Sequence, residues 1–379
     1  MKLLFLLSSL HGGGAERVAA TLASAWVRNG VDVHLVCCFS GRGRNMQVLD
    51  PRVRVEWLAD RMPASPGMLR PLVKLWALRR LVQAYRPDRV LSFLTNVNVM
   101  ALLATRGLDV PVVVSERSDP LHGWAAGRVL RVLRRFTYPW AARVVVQTET
   151  ARRHLIQVAP AVRHSVVIAN PLPPELPPSR HAEPAGDRLV LVAAGRFQPV
   201  KQFDRLIEVF ARLAPTNPRW DLVIWGDGPQ REACQARVHA LGLQARIRLP
   251  GHTRQLWPAL LQAHVFIHCS RVEGFPNALL EAMALGLPCV ATDCPSGPAD
   301  MTRQGRDALL VPPDDERAWA RALGELLSAS PQDRAARGRA GAVSVRSRYG
   351  LEAILARWDA LGLAWSSGAA DPSTGAAHE

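Results

Sequence analysis

Short apolar runs alternate with amphipathic helical patterns along almost the whole chain. The run KLLFLLSS predicts a buried strand, GGGAERVAATLASAWVRNG a helix that ends at Gly30, and VDVHLVCCF a second strand. The later runs RVLSFL, VPVVVSE and ARVVVQT are continuous and rich in β-branched residues, as in parallel strands covered on both faces. The pattern predicts a doubly wound α/β domain at residues 1–170.

A proline-rich segment separates this region from a second series of the same kind. Residues 171–187 read PLPPELPPSRHAEPAGD, which predicts a stiff, exposed linker. After it, RLVLVAAG and DLVIWGDG read as strands, and PVKQFDRLIEVFARLA and PQREACQARVHALG as helices. We therefore predict a second Rossmann-like domain at residues 188–345, so that the chain is α/β with two doubly wound parallel sheets.

The two ends of the chain predict one further helix and no membrane span. YGLEAILARWDALGLAW indicates a helix within residues 346–365 that returns to the first domain, and residues 366–379 read as a disordered tail. The N-terminus has the lysine and short apolar core of a signal peptide, but Glu16 and Arg17 follow at once, which favours a strand, turn and helix. No run reaches the roughly 18–20 apolar residues of a spanning helix.

Positive charge is concentrated in the first half of the chain. The net charge is +15, of which residues 1–170 carry +14. In residues 69–87 and 127–144, Arg and Lys alternate with apolar residues at near-helical spacing, which predicts basic amphipathic helices on an anionic membrane or lipid. Arginine-rich drift in a GC-biased coding sequence is the alternative, but it leaves the neutral second half unexplained. The side chains expected to face the membrane are Arg79, Arg80, Arg131, Arg134 and Arg135.

The cysteines and potential metal ligands show no functional spacing. The six cysteines form no CxxC pair, which predicts the reduced, buried thiols of a cytosolic protein. There is no DxD and no clustered set of His, Cys and Asp at ligand spacing, so we predict no metal. The basic composition permits nucleic-acid binding, but no recognisable nucleic-acid module is present.

Two glycine-containing loops join a predicted strand to a predicted helix, at the sheet edge where such domains bind ligands. HGGGAER (residues 11–17) brings glycines to the start of the first helix, where backbone N–H groups attract anions; a tight packing turn explains it equally well. In AAGRFQPVKQFDRLI, Arg196 follows the strand and Lys201 lies at the start of the next helix. Two cations there suit a diphosphate, although ordinary surface charge also accounts for them.

The segment EGFPNALLEAMALG (residues 273–286) carries two glutamates eight positions apart. Pro276 fits the first position of a helix that ends at Gly286, so Glu273 lies in the preceding loop and Glu281 in the second turn. A partly buried Glu281 needs donors, which ribose hydroxyls, backbone amides or an arginine can provide. A hydrolytic pair of carboxylates is an alternative, but the cations and glycine loops favour a diphosphate leaving group.

Together these motifs resemble the retaining, nucleotide-sugar-dependent glycosyltransferases of family 4, which have the two-domain GT-B fold. The resemblance covers almost the whole chain, through GGGAERV, GRFQPVKQFDRLI, VIWGDGP, LPGHT and SRVEGFPNALLEAMALGLPCVATDCPSGPADM. It implies two Rossmann-like domains facing across a cleft. Within the family, VVSERSDP and TDCPSGPADM are similar to bacterial enzymes of lipid-linked oligosaccharide, lipopolysaccharide and exopolysaccharide assembly.

The resemblance also implies roles for individual residues. Arg196 and Lys201 would hold the donor diphosphate. Glu273 would contact the sugar hydroxyls, as the third catalytic candidate, and Glu281 the ribose. The other donor-binding candidates are Gly13, Gly14, Gly226, Gly251, His252, Gly274, Phe275, Pro276 and Asn277. The acceptor-side candidates, which stand where many members carry a His, are Ser115, Glu116 and Arg117. Asp300 stands where the family commonly has Glu.

The activity that the resemblance implies is retaining transfer of a hexose or N-acetylhexosamine from a UDP-sugar to a hydroxyl of a polyprenyl-diphosphate-linked or other lipid-linked glycan. We expect no metal and no cofactor, since the nucleotide-sugar is a co-substrate. The expected partners are that donor, the glycan acceptor and an anionic membrane, at the cytoplasmic face of the cell membrane. The alternatives are a GDP-mannose-dependent mannosyltransferase and a nucleotide-sugar epimerase on the same architecture.

Overall fold

The chain divides into two compact α/β units. The computed structural model describes residues 1–41, 47–63, 67–122, 127–180, 182–253 and 255–361. The first unit consists of the described residues in Met1–Ser115, Trp140–Arg143 and from Ile354 onward. The second unit consists of Glu116–Pro139 and Val144–Ala353.

Both units are built on parallel strands that alternate with helices. The strands are β1 Lys2–Leu7, β2 Asp32–Cys37, β3 Arg54–Trp57, β4 Arg89–Phe93, β5 Val112–Ser115, β6 Arg143–Val146, β7 Ser165–Val167, β8 Leu189–Ala194, β9 Trp220–Trp225, β10 Ile247–Gly251, β11 Val265–His268, β12 Cys289–Thr292 and β13 Leu309–Val311. The helices are α1 Gly14–Arg28, α2 Arg70–Tyr85, α3 Thr95–Ala104, α4 Arg128–Thr137, α5 Glu149–Val158, α6 Phe203–Leu213, α7 Arg231–Ala240, α8 Leu256–Leu261, α9 Asn277–Ala284, α10 Pro298–Met301, α11 Glu316–Ser328, α12 Pro331–Tyr349 and α13 Leu351–Asp359.

In the first unit, parallel strands follow the order β3-β2-β1-β4-β5. Strand β1 is buried along almost its whole length, as its continuous apolar sequence predicts. Its Phe5 ring lies 4.8 Å from Phe93 and 5.8 Å from Trp26. Trp358 of α13 packs edge-on against Trp26 at 5.9 Å. The last described helix therefore contributes to the core of this unit.

The second unit contains a parallel sheet with the order β10-β9-β8-β11-β12-β13. The order reverses between β8 and β11, which are neighbours in the sheet but distant in sequence. Ligands of doubly wound sheets bind beyond the carboxyl ends of the strands at such a reversal. Here that position belongs to the loop between β8 and α6 and the loop between β11 and α9. The fold thus places the two charged motifs of the second half at one edge of one sheet.

The proline-rich segment differs from the exposed linker that its composition predicted. It forms no helix or strand over its described residues, but it lies within the second unit. Leu172 and Leu176 are buried. The backbone N–H of Leu172 donates to the Tyr349 carbonyl at 2.7 Å, and that of Arg180 donates to Leu285 at 3.1 Å. The prediction of an exposed segment is wrong at these positions, because its leucines pack and its backbone is hydrogen-bonded.

The helix predicted within residues 346–365 is α13, Leu351–Asp359, which follows a break after α12. Helix α12 ends at Tyr349, Gly350 follows, and α13 begins at Leu351. The predicted disordered tail at residues 366–379 lies outside the described residues.

The cysteines and the helices agree with two simple expectations from composition. All six cysteines are free and buried, which confirms the predicted buried thiols. Among the described residues, no helix combines the length and the apolar character that crossing a membrane requires.

Candidate functional site

The two cations after β8 have different environments. Lys201 ends the short 3-10 turn Pro199–Lys201, and Gln202 follows in the left-handed conformation (φ 52°) that turns the chain into α6. The Lys201 ammonium donates a hydrogen bond to Glu273. Arg196 is exposed, and its side chain makes no hydrogen bond or ion pair within the described part of the chain. The structure therefore joins Lys201 to Glu273 and leaves the Arg196 guanidinium available.

Glu273 accepts three side-chain hydrogen bonds on one carboxylate oxygen. Besides Lys201, Ser270 Oγ donates to Oε1 at 2.7 Å, and His268 Nε2 lies 3.0 Å from it. Burial alone raises the pKa of Glu273, but the charge of Lys201 and the hydrogen bond from His268 outweigh it and hold the pKa well below its usual range. Glu273 is therefore an ionised carboxylate at neutral pH. Its Oε2 atom makes no hydrogen bond within the described residues.

Helix α9 begins and ends close to the positions that the sequence predicts. It starts at Asn277, directly after Pro276, and Gly286 follows its last turn with φ 86°. The N–H groups of a first helical turn lack intrahelical partners and attract anions. Phe275 is buried, and its ring lies 5.9 Å from that of Tyr349. The loop before the helix is therefore anchored.

Gly274 and Asn277 are in close contact with residues that precede the proline-rich segment in the sequence. A Cβ atom on Gly274 would lie 2.3 Å from the carbonyl oxygen of Arg117, so no larger residue fits there. The side-chain amide of Asn170 donates to Asn277 Oδ1 at 2.8 Å. Asn170 Oδ1 in turn accepts hydrogen bonds from Arg117 at 2.8 Å and Gln147 at 2.6 Å. A buried polar network thus fixes the start of α9.

Glu281 lies in the second turn of α9 and is 1% exposed. The indole nitrogen of Trp257, on α8, donates to its Oε2 at 2.7 Å. Since an indole N–H only donates, it stabilises the carboxylate as an acceptor group. Glu281 is therefore held by a neighbouring helix, and it makes further contacts of its own.

Gly226, directly after β9, is required by close backbone packing. A Cβ atom on Gly226 (φ 135°) would lie 1.8 Å from the carbonyl oxygen of Gly195. The Gly226 N–H also donates to the Gly251 carbonyl at 2.9 Å. His252 is exposed beyond this junction. A cavity of about 610 Å³ lies along strands β8, β9 and β10 beside α8, with Val190, Trp225 and Pro250 in its lining.

Gly13 and Gly14 lie at the start of α1 in the first unit. Gly14 is the first helical residue and Gly13 precedes it. The carboxylate of Glu16 lies against this helix start, since a Cβ atom on Gly13 would be 2.1 Å from Glu16 Oε2. Glu16 Oε1 also accepts a hydrogen bond from Ser9 Oγ at 3.0 Å. An anion bound at this helix start would have to displace or avoid a carboxylate that the sequence reasoning did not consider.

The three acceptor-side candidates are all buried. Ser115 ends β5 in the first unit and is 0% exposed. Glu116 accepts a hydrogen bond from Tyr138 at 2.5 Å. Arg117 donates to Asn170, and burial lowers the pKa of its guanidinium to about 9. Glu116 and Arg117 therefore have protein partners, and their predicted contact with an acceptor stays a prediction.

Asp119, which the sequence reasoning missed, is the centre of a further polar cluster. Its carboxylate lies 3.1 Å from His122 Nδ1 and 2.7 Å from His154 Nδ1, and it accepts a hydrogen bond from Ser296 at 2.6 Å. One oxygen of Asp119 and one nitrogen of each ring lie within 4.8 Å of one another, a spacing that a metal ion could use. No metal-ligand motif in the sequence indicated this group, because α5 carries His154 far along the chain from Asp119.

Asp300 stands where the family resemblance indicated a glutamate. Its Oδ2 atom accepts the backbone N–H of Glu149, the first residue of α5, at 3.2 Å. Burial raises the pKa of this carboxyl above its ordinary value. In the structure, Asp300 thus helps to cap the start of α5.

Helix α4 is the more strongly amphipathic of the two basic helices. Its apolar side chains Val129, Val132 and Phe136 are 72%, 56% and 63% exposed. Arg131 and Arg135 are exposed as predicted. Arg134, in contrast, is 3% exposed, because its guanidinium turns inward to the Pro120 carbonyl at 2.8 Å and to Glu116 at 3.7 Å. The prediction that Arg134 faces a membrane is therefore wrong.

On helix α2, Arg79, one of the two arginines predicted to face the membrane, binds backbone carbonyl oxygens of the protein instead. Arg79 Nη1 donates to the carbonyl oxygens of Ala104 and Arg106 at 3.0 and 2.8 Å, which satisfies the end of α3. Arg80 is exposed and lies 5.3 Å above the ring of Trp76. Of the two predicted arginines on α2, Arg80 is therefore the one that remains available for a contact with a membrane surface.

Two family models match the chain. Residues 13–171 match the glycosyl transferase 4-like domain, and residues 188–329 match glycosyl transferases group 1. Together these models account for most of the chain, and both fit the resemblance drawn from the motifs.

Among curated relatives, an exopolysaccharide phosphotransferase of Streptomyces coelicolor is 28% identical over 95% of this chain, which spans only 40% of that relative's length. The GalNAc-alpha-(1->4)-GalNAc-alpha-(1->3)-diNAcBac-PP-undecaprenol alpha-1,4-N-acetyl-D-galactosaminyltransferase of Campylobacter jejuni is 27% identical, over 85% of this chain and 88% of the relative. The crystal structure of Anabaena HepE in complex with UDP has a TM-score of 0.76 at 16% identity, covering 95% of this chain and 99% of that chain. This likeness confirms the predicted fold class of two parallel α/β sheets.

Proposed function

The chain belongs to the group 1 glycosyltransferases that also carry a glycosyl transferase 4-like domain, and we propose that it moves a hexose or N-acetylhexosamine from a UDP-sugar to a hydroxyl of a lipid-linked glycan. We further propose that the transfer retains the configuration of the sugar and needs no metal ion. Its place in lipid-linked or polysaccharide assembly rests on the family and on the relatives of the chain.

The observation that carries the proposal is the charge arrangement at the junction of β8, β11 and α9. Lys201 is held by Glu273, Arg196 has no partner among the described residues, and α9 begins after the loop that follows β11 at the same sheet edge. A diphosphate needs this kind of positive environment. Glu273, in the loop before α9, and Glu281, in its second turn, are carboxylate acceptors that suit hydroxyl groups of the sugar and of the ribose.

This arrangement assigns a role to each charged group during transfer. As the bond between the sugar carbon and the diphosphate oxygen breaks, its electron pair leaves with UDP. Lys201, Arg196 and the start of α9 stabilise that charge. The acceptor oxygen forms the new bond on the same face of the sugar, and its proton passes to the departing diphosphate. Glu273 stays ionised and orients the sugar.

Support for the nucleotide and the acceptor comes from different sources. The solved HepE structure contains UDP, and the Campylobacter enzyme is named for a polyprenyl-diphosphate-linked acceptor. The cavity along β8, β9 and β10 includes Trp225 and Pro250 in its lining, and we propose that the nucleoside base lies beside these two residues. A GDP-mannose donor is the second candidate, because none of these contacts reads a particular base.

A panel of nucleotide-sugars tests the proposal directly. Thermal unfolding is measured with UDP-glucose, UDP-galactose, UDP-GlcNAc, UDP-GalNAc, GDP-mannose and ADP-glucose, each in large excess. A donor at about 100 times its Kd stabilises the folded state by about 2.7 kcal/mol. We expect stabilisation by a UDP-sugar; stabilisation by GDP-mannose alone would move the proposal to the second candidate. No shift with any donor would contradict the donor site.

We also propose that α4 attaches the protein to an anionic membrane. Three exposed arginines, Arg128, Arg131 and Arg135, accompany the exposed apolar side chains of this helix. Basic side chains near an anionic surface contribute about 1 kcal/mol each. This combination of charge and exposed apolar area is typical of helices that lie in a membrane interface.

Reversing these charges should release the protein from vesicles. We expect the triple variant Arg128→Glu, Arg131→Glu, Arg135→Glu to partition into phosphatidylglycerol-containing vesicles at least about 100-fold more weakly. The measurement is sedimentation with vesicles at two salt concentrations. The control carries the same number of reversals on exposed arginines outside α4, namely Arg306, Arg317 and Arg321. Equal losses of vesicle binding in both variants would show that net charge alone explains the effect, and would contradict the role of α4.

A further inference from the structure

Asp119 is a buried carboxylate whose hydrogen-bonding capacity is fully used. Its Oδ1 atom accepts the backbone N–H groups of Leu121 and His122 at 2.9 and 2.8 Å. Its Oδ2 atom accepts from Ser296 Oγ at 2.6 Å and contacts His154 Nδ1 at 2.7 Å. A carboxylate offers about four lone pairs, so the protein already occupies all of them. Hydrogen bonding therefore explains this cluster without a metal ion.

Ser296 is held in a backbone conformation that its residue type disfavours. Its φ is 70°, and Gly297 follows with φ 130°, so two consecutive residues lie in the region that favours glycine. The side chain of Ser296 is buried, and its hydroxyl donates to Asp119. The hydrogen bond thus holds a turn that the backbone alone would not favour.

The turn at Ser296 and Gly297 and the backbone of Arg117 both pack closely against the loop between Glu273 and α9, which we call the donor loop. A Cβ atom on Gly297 would lie 2.5 Å from Pro276 Cδ, immediately before α9. A Cβ atom on Gly274 would lie 2.3 Å from the carbonyl oxygen of Arg117. The donor loop between Glu273 and α9 is therefore packed between two backbone segments, and the Asp119–Ser296 hydrogen bond joins those segments to each other.

We infer that Asp119 is a positioning residue for the donor: through Ser296 it sets the start of α9 in the geometry that binds the nucleoside diphosphate. This inference rests on the proposed function, because it concerns the same donor site. His122 and His154 contact the carboxylate and fix its orientation. Asp119 itself does not contact the donor in this account.

The test is the affinity of the protein for UDP, measured by titration calorimetry. Asp119→Asn and Ser296→Ala should each weaken UDP binding about tenfold. Because both remove the same hydrogen bond, the double variant should bind no more weakly than either single variant. GDP and ADP are titrated in parallel, so that a protein selective for another base still gives a measurable affinity.

The chain provides a matched control pair with the same chemistry. Ser330 Oγ donates to Asp333 Oδ2 at 2.7 Å at the start of α12, on the surface of the second unit. Ser330→Ala and Asp333→Asn should leave UDP affinity unchanged. Unchanged affinity in Asp119→Asn and Ser296→Ala as well, or additive losses in their double variant, would overturn the inference while the proposed function stands. If the wild-type protein binds none of the three nucleotides, the proposed function and the inference fail together.

Ser296→Gly separates positioning from general stability. Glycine adopts φ 70° readily, so this variant relieves the backbone while still losing the hydrogen bond to Asp119. We expect its Tm to stay near the wild-type value and its UDP affinity to fall as in Ser296→Ala. Recovery of UDP affinity in the glycine variant would show that only the backbone conformation matters and would overturn the role of Asp119.

Discussion

Replacing Lys201 by methionine should lower the rate of sugar transfer by about 10³-fold. Methionine matches the lysine side chain as far as Cε and removes the charge that stabilises the departing diphosphate. It also leaves the Glu273 carboxylate without its ammonium partner, beside an incoming anion. The measurement is kcat with the donor that the nucleotide-sugar panel selects, together with Tm to confirm that the variant is folded.

Two further variants determine whether the loss comes from the diphosphate. Lys2→Met removes an exposed lysine of the first unit and should leave kcat unchanged. Adding Glu273→Gln to Lys201→Met removes the uncompensated carboxylate, so it should restore part of the affinity for UDP without restoring kcat. Normal turnover by Lys201→Met would show that the diphosphate is bound elsewhere.

Replacing Glu281 by alanine should weaken UDP binding about 100-fold, since hydrogen bonds to a charged group contribute about 1.5–3 kcal/mol each. A sharper prediction concerns the ribose. The wild-type protein should prefer UDP to 2′,3′-dideoxy-UDP, and Glu281→Ala should bind the two nucleotides with the same affinity. Competition calorimetry measures both preferences.

The controls for Glu281 separate ribose contact from helix packing. Trp257→Phe removes the indole donor to Glu281 and should lower UDP affinity less than Glu281→Ala does. Glu325→Ala removes a half-exposed glutamate of α11 and should have no effect. If Glu281→Ala retains the wild-type preference for the ribose hydroxyls, the assignment of Glu281 to the ribose is wrong.

The local features of the site could be predicted from the sequence because their determinants are local. Pro276 and Gly286 bracket α9 within one or two residues of its actual ends, since proline fits a helix start and Gly286 takes the positive φ that follows the last turn. The alternation of apolar runs and amphipathic patterns likewise predicted the α/β class. These inferences needed only the chemistry of neighbouring residues.

The contacts that orient the site could not be predicted in this way. Ser270 and His268 reach Glu273 at the end of β11, and Trp257 reaches Glu281 from a neighbouring helix. The Asp119–Ser296 hydrogen bond joins positions 177 residues apart. Such pairs depend on how the elements pack, which no spacing in the sequence indicates.

The burial of Arg134 shows a limit of helical periodicity. The sequence of α4 places an arginine at nearly every turn, and all of them read as one basic surface. In the structure, the Pro120 carbonyl and Glu116 take up the guanidinium of Arg134. A pattern of charges predicts the helix, but the partners available within the fold decide which charges reach the surface.

A crystal structure of the protein with bound UDP tests the donor-site assignment most directly. The account predicts a diphosphate within hydrogen-bonding distance of Lys201 Nζ and the first turn of α9, and ribose hydroxyls at the carboxylate of Glu281. A diphosphate bound away from Lys201, with no ribose contact to Glu281, would contradict it.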